Sequence, residues 1–317
     1  MSISSLVKKL PTTVAKTAAC LSAVGVTAIA VGTSPAQALS LSNGSLTLDI
    51  NDSNGAISSV LFGGSEFYQR GAFVSNFGFQ NGTNTSTFAT NTAFGSSGVP
   101  VTVTSGSGSA TVNGSFTGGG ANISFSRVYS LVPGLNVIRT ITTFVNNGAD
   151  TTLSAFDTFD PDQGLDKGTG FGTFNDVLTL VTNAGLAKVG QATESGGLSV
   201  VIGSLNPATI ASGNPFQIGD GFDLNAFFDA PFDDNGSFAD SGTHIGLRSV
   251  LTAGSSLSFA YDQAFGLTSE AAQAEFIAAN GGATPVPTPA LLPGLIGVSL
   301  SILRKRKAEA AEQSAEV

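Results

Sequence analysis

Short runs of alternating apolar and polar residues, broken by glycine and asparagine, recur from residue 46 to residue 265 and confine the body of this chain to β-structure. In the first run Leu46, Leu48 and Ile50 share one side, and Thr47 and Asp49 the other. Asn51-Asp52-Ser53-Asn54-Gly55 then supplies a turn, because Asn-Gly tolerates positive φ, and residues 57–62 begin the next strand. Residues 99–104, 110–116, 123–131 and 135–145 read as four successive strands, with Pro133-Gly134 turning between the last two. Ile123, Phe125, Tyr129 and Leu131 form the apolar side of the third; Val137, Ile141 and Val145 share one side of the fourth. Long strands joined by short turns make an antiparallel meander.

Further strands are expected at 153–159, 176–181, 187–191, 198–205, 245–251 and 256–265. Residues 82–98 read as a long loop or irregular edge strands, and 206–242 as loop-rich. Phe73, Phe77 and Phe79 read as core. Residues 269–282 carry a short helix with Thr268 or Ser269 as its cap and Gly281-Gly282 as its stop. The expected fold is all-β: an antiparallel β-sandwich, or its extended supersandwich-like form, over residues 39–268, then this helix and a hydrophobic tail helix.

The two ends have a different character from the body. Lys8, Lys9 and Lys16 precede an apolar run, and Ser34-Pro35-Ala36-Gln37-Ala38 closes it with small residues at Ala36 and Ala38. That is the three-part form of a secretory signal, with cleavage expected after Ala38. Cys20, the only cysteine, lies inside it, so the exported body has no disulfide, thiol nucleophile or cysteine metal site. The body holds 19 acidic residues against 6 basic ones, a net charge of about −13, which argues against nucleic acid as a partner. Forty glycines and 23 phenylalanines without tryptophan suit a turn-rich secreted β-domain and are too apolar for a disordered matrix polymer.

At the C-terminus a linker over 283–289 leads into Pro287-Thr288-Pro289-Ala290, and an apolar segment with a basic cluster occupies 290–307. The cluster is Arg304-Lys305-Arg306-Lys307, and a polar cytoplasmic end follows over 308–317. Residues 291–303 are shorter than a comfortable span, while the four cations fix a cytoplasmic C-terminus. This ordered triplet resembles the PTPA variant of the PEP-CTERM sorting tail. The resemblance covers about a tenth of the chain and implies an exosortase-like membrane transpeptidase as partner. It also implies transient anchoring in the inner membrane and delivery to the cell surface or extracellular polysaccharide. The alternative is a plain membrane anchor.

Chemistry in the body centres on Asp157, Asp160, Asp162 and Asp166, three of which surround Gly164. Alternating aspartates with a glycine turn can gather oxygens around a hard cation, and calcium is the cofactor candidate, although the closing glutamate of an EF-hand is absent. The alternative is a solvated Asp/Gly turn. A second acidic run holds Asp220, Asp223, Asp229, Asp233, Asp234, Asn235 and Asp240. Were both runs at one end of a sandwich, they would be able to share an ion.

The single histidine, His244, reads as a surface or core residue, and no nucleophile elbow, zinc-protease or dinucleotide motif is present. Asp157 with Asp160 or Glu66 are formal candidates for glycoside hydrolysis by paired acids. Residues 46–62 with Gly63-Gly64-Ser65-Glu66-Phe67 resemble the start of galactose-mutarotase-type sandwiches. The paired histidines that the resemblance implies for catalysis are not available here. The expected function is a non-enzymatic exported surface or matrix protein. The alternatives are a calcium-dependent carbohydrate-binding or adhesive module and, third, a glycan-active hydrolase.

Overall fold

The computed structural model describes residues 38–68, 75–82, 87–90, 99–118, 121–207, 209–212, 223–233 and 235–281. The expected signal sequence up to Gln37, Phe73, Asp220, Asp234, the linker, the Pro287–Ala290 motif, the tail helix and its basic cluster lie outside the described residues.

An antiparallel β-sandwich results, as the alternation demands. β1 (Ala38–Ser42), β2 (Leu46–Asn51), β3 (Ile57–Phe62) and β4 (Ser65–Glu66) form a four-stranded meander in sequence order. β5 (Ser75–Asn81) and β6 (Thr87–Thr90) belong to a second sheet; β7 (Val101–Gly106), β8 (Ser109–Gly118), β9 (Ala121–Leu131) and β10 (Val137–Asn146) form consecutive hairpins in a third. β11 (Thr151–Phe159) returns to the second sheet. β12 (Thr173–Thr182), β13 (Gly185–Thr193) and β14 (Ser199–Ser204) rejoin the third. β15 (Thr209–Ser212), β16 (Ser237–Ala239), β17 (Thr243–Leu251) and β18 (Ser256–Gly266) complete them. The larger sheet has the order β16-β12-β13-β14-β18-β10-β9-β8-β7, and the smaller β15-β17-β11-β5-β6.

One apolar core draws on all three sheets. Phe77 and Phe79 of β5 lie in it as expected, with the Phe77 ring 5.6 Å from that of Phe125 and Phe79 stacked on Phe116 at 3.6 Å. Such ring pairs add attraction beyond the area they remove from water.

β10 keeps Val137, Ile141 and Val145 on one side, as the sequence reading has them. That side is the outer one; Ile138, Thr140, Thr142 and Phe144 face the core, and Ile141 is 38% exposed. Across the hairpin, Arg127 occupies a core-facing position of β9, where alternation would put an apolar residue, and its guanidinium donates to the Thr142 hydroxyl at 3.1 Å. The inner side of β10 thus gives the buried cation one of its acceptors.

α2 (Ser269–Ala279) packs Ala272 and Phe276 onto the outer side of the larger sheet, against Val137, Val189, Val201 and Ala264. The Thr268 hydroxyl caps it by accepting the Ala271 N–H at 3.1 Å, as the sequence led us to expect. A second helix, α1 (Leu224–Asp229), falls within the stretch read as loop and covers the outer side of the smaller sheet, where Phe227 meets Phe156 at 5.0 Å. Among the described residues no helix is long and apolar enough to cross a membrane.

Candidate functional site

β11 and β17 are antiparallel neighbours with Phe159 opposite Thr243. The chain leaving β11 at Asp160 and the chain entering β17 after Asp240 therefore meet at one end of the sandwich. There Asp160, Asp162 and Asp240 each place a carboxylate oxygen within 4.8 Å of the other two. Asp160 and Asp162 are buried and Asp240 is exposed. Among the described residues neither carboxylate oxygen of Asp162 has a hydrogen-bond partner, although the residue is only 1% exposed.

The loop is built to hold Asp162 there. Its backbone N–H donates to the Phe67 carbonyl at 2.8 Å, and its own carbonyl accepts the Leu165 N–H at 3.1 Å. A 3₁₀ turn over Leu165–Lys167 then reverses the chain. Gly164 is required, because a Cβ at that position would lie 2.5 Å from Thr169 Oγ1 and 2.6 Å from the Gly170 carbonyl oxygen. The Lys167 ammonium donates to the Gly63 carbonyl at 2.8 Å.

Burial, then the neighbouring Asp162 and Asp240 charges, push the Asp160 carboxyl up to about 8. Burial and Asp240 push Asp162 up to about 7. Three anions gathered without a cation are unfavourable, and the buried pair responds by holding protons.

Four aspartates singled out in the sequence thus have three fates. Asp160 and Asp162 enter the cluster. Asp157 faces the core and forms a bidentate ion pair with Arg127, at 2.6 and 3.1 Å. Asp166 turns away, accepting the Glu66 N–H at 2.8 Å. The third carboxylate is Asp240 from the second acidic run, so the two runs do meet at one end.

Within that second run, Asp223 caps α1 by accepting the Asn225 N–H, and Asp229 pairs with Arg248 at 2.9 Å. Glu66 accepts the Val60 and Tyr68 N–H groups at 2.9 Å each and the Ser59 hydroxyl, which makes it a structural group. Neither Asp157 nor Glu66 is placed for acid catalysis. His244 is buried in the smaller sheet against the rings of Phe156 and Phe227, at 5.8 and 5.5 Å.

Calcium holds oxygens at roughly 2.3–2.6 Å, so two oxygens of one ion lie at most about 5 Å apart, a condition these three carboxylates meet.

No protein-family profile and no curated protein matches the chain. Solved structures of similar fold do exist. A putative aldose 1-epimerase from Escherichia coli K12 shares 12% identity at a TM-score of 0.46, over 73% of this chain and 99% of its own. A galactose mutarotase related enzyme from Lactobacillus acidophilus shares 9% at 0.41, over 74% and 99%. A bacterial glucoamylase complexed with acarbose shares 10% at 0.49, over 78% of this chain and 36% of its own.

These identities speak to the fold alone. The expectation of a non-enzymatic protein rested on missing motifs alone and is not upheld; the neighbours named above are themselves sugar enzymes by name, and their likeness to this chain is one of fold.

Proposed function

We propose that the chain is a carbohydrate-active enzyme whose centre is a divalent cation, calcium foremost, held by Asp160, Asp162 and Asp240. The observation that carries this reading is the Asp162 carboxyl. It is buried, unpartnered, and within 4.8 Å of two more carboxyls. Leaving a buried carboxylate without a partner is costly unless something absent from the bare chain completes it. Three carboxylates fill only part of a shell of six to eight oxygens. Asp240 is exposed, so the remaining positions open toward solvent. Sugar hydroxyls are hard oxygen ligands suited to those positions, and a bound ion would supply Lewis acidity toward them or toward a water. This is the glycan-active reading with a cation at its centre: of its formal candidates Asp157, Asp160 and Glu66, Asp160 stands in the cluster and the other two do not.

The test is thermal melting against calcium for the wild type and Asp162→Asn, followed by sugar release from a polysaccharide panel with and without chelator. The wild-type midpoint should rise with calcium and the variant's should not, since binding to the native state adds stability. A wild-type midpoint unmoved by millimolar calcium rejects the cation, and release that ignores the chelator rejects its role in turnover.

We also propose that the protein is exported and trimmed by an exosortase-like transpeptidase. The Ala36-Gln37-Ala38 pattern at one end and Pro287-Thr288-Pro289-Ala290 with its basic cluster at the other support this.

A further inference from the structure

We infer that the paired rings of Phe174 and Phe238 form a stacking platform for a neutral glycan, continuing the cation site along the edge of the larger sheet. The inference rests on reading that site as carbohydrate-active and adds the position and chemistry of a substrate-binding surface.

β16 is an edge strand of three residues, all exposed, paired among the described residues only with the start of β12. Phe174 and Phe238 are directly opposite each other in that pairing. Their ring centroids are 4.9 Å apart, and they are 44% and 50% exposed. Phe171, three residues earlier, is 45% exposed. An isolated exposed phenylalanine needs no explanation, but a facing pair on a three-residue edge strand does.

The platform is held in place. Gly172 lies under the Phe238 ring so closely that a Cβ there would come within 2.6 Å of it. Asp233 Oδ1 accepts the N–H groups of Val177 and Asn235, at 3.2 and 3.0 Å, and the Gly236 N–H donates to the Asn175 carbonyl at 2.7 Å. These bonds fix the turn that delivers β16 to β12, so little ordering is left to be done on binding.

Two features choose the occupant. Asp240 follows Phe238 by two residues, one past the end of β16, so the chain that supplies a ring also supplies a carboxylate of the cluster. The surroundings are acidic, with Asp176, Asp233 and Asp240 on the same two strands or their connections, which disfavours an anionic lipid surface or an acidic polymer. A neutral sugar suits both features. Its hydroxyl edge offers ligands to an ion, and its C–H face is apolar and weakly positive against the negative face of an aromatic ring.

The experiment compares the wild type with the Phe174→Ala/Phe238→Ala double variant on insoluble neutral polysaccharides (cellulose, chitin and α-glucan) in calcium. Both residues are half-exposed, so the variant should melt close to the wild type with its calcium response intact. On whichever polysaccharide retains the wild type, retention should weaken about tenfold, equivalent to ~1.4 kcal/mol. Undiminished retention overturns the platform, as does failure of the wild type to be retained on any of the three. A change in oligomeric state with retention unaltered overturns it too, and shows the edge to be a contact between copies of this chain. Loss of the calcium response in the wild type itself sinks the cation reading instead, and retention on glycan still reports on the rings.

Discussion

Arg127 on β9 and Asp157 on β11 form a bidentate ion pair across the interface of the two large sheets, with Arg127 only 1% exposed. All five guanidinium N–H groups find acceptors: two bonds go to Asp157 and one each to Thr142, Tyr261 and Tyr129. The Tyr129 hydroxyl passes the chain on to the Gly55 carbonyl at 3.0 Å. The guanidinium also lies 4.4 Å from the centroid of the Phe77 ring. A complete set of partners is the condition under which a buried charge is tolerated.

Removing one member should therefore cost more than removing both. Arg127→Met alone leaves Asp157 buried without its counter-ion, and is expected to destabilise by about 3–5 kcal/mol in denaturant unfolding. Adding Asp157→Leu should recover part of that loss. Whatever fraction of Asp157→Asn folds should keep the calcium response, because Asp157 is not in the cluster. A variant that folds and loses that response would place Asp157 among the ligands.

The same pair shows how far the sequence could be read. Alternation located the strands and their hairpins, because a half-buried strand repeats every two residues wherever it lies. Alternation does not say which side is inner. β10 offered two mixed sides, and the inner one, with Ile138, Phe144 and two threonines, supplies Thr142 as an acceptor for Arg127 one strand away. The signal was available in β9, where an arginine interrupts the run Ile123, Phe125, Tyr129. Asp160 and Asp162 were legible as possible ligands from their spacing. Asp240 was not, because it reaches them only through the pairing of β11 with β17, a contact between residues some 80 positions apart in the chain. α1 was hidden by its length, six residues, among prolines and aspartates.

Acidity should stabilise the cation-free protein. Asp160 and Asp162 titrate near 8 and 7 when folded, against an ordinary aspartate value of 3.8. The native state then binds more protons than the unfolded chain between about pH 4 and pH 8, and stability falls as pH rises through that window. In chelator, the melting midpoint should therefore decline from mildly acidic to mildly alkaline pH. Calcium should flatten the decline by replacing the protons. A chelated midpoint that climbs over the same range contradicts the burial of this pair.

Asp162→Asn separates charge from shape. Removing a buried carboxyl that repels its neighbours should raise the chelated midpoint at pH 8 relative to wild type, while abolishing the gain from calcium. The two effects have opposite signs, so a variant that merely misfolds cannot mimic them. Melting curves at pH 8, with and without calcium, measure both.

Gly266 tests the seat of the C-terminal helix independently of the site. A Cβ there would stand 2.2 Å from the Ala272 backbone nitrogen and 2.7 Å from the Ala271 carbonyl carbon. Both are backbone atoms of α2, so no side chain can turn aside. Gly266→Ala must push the helix off β18, loosening Ala272 and Phe276 from Val137 and Val201. Overpacking of this kind costs about 1–3 kcal/mol. The loss should appear in denaturant unfolding together with faster amide exchange along α2. The calcium response should survive, because the cluster gathers around β11 and β17 whereas α2 is seated on β18 and β14. Unchanged exchange along α2 would mean that the helix does not depend on this close approach.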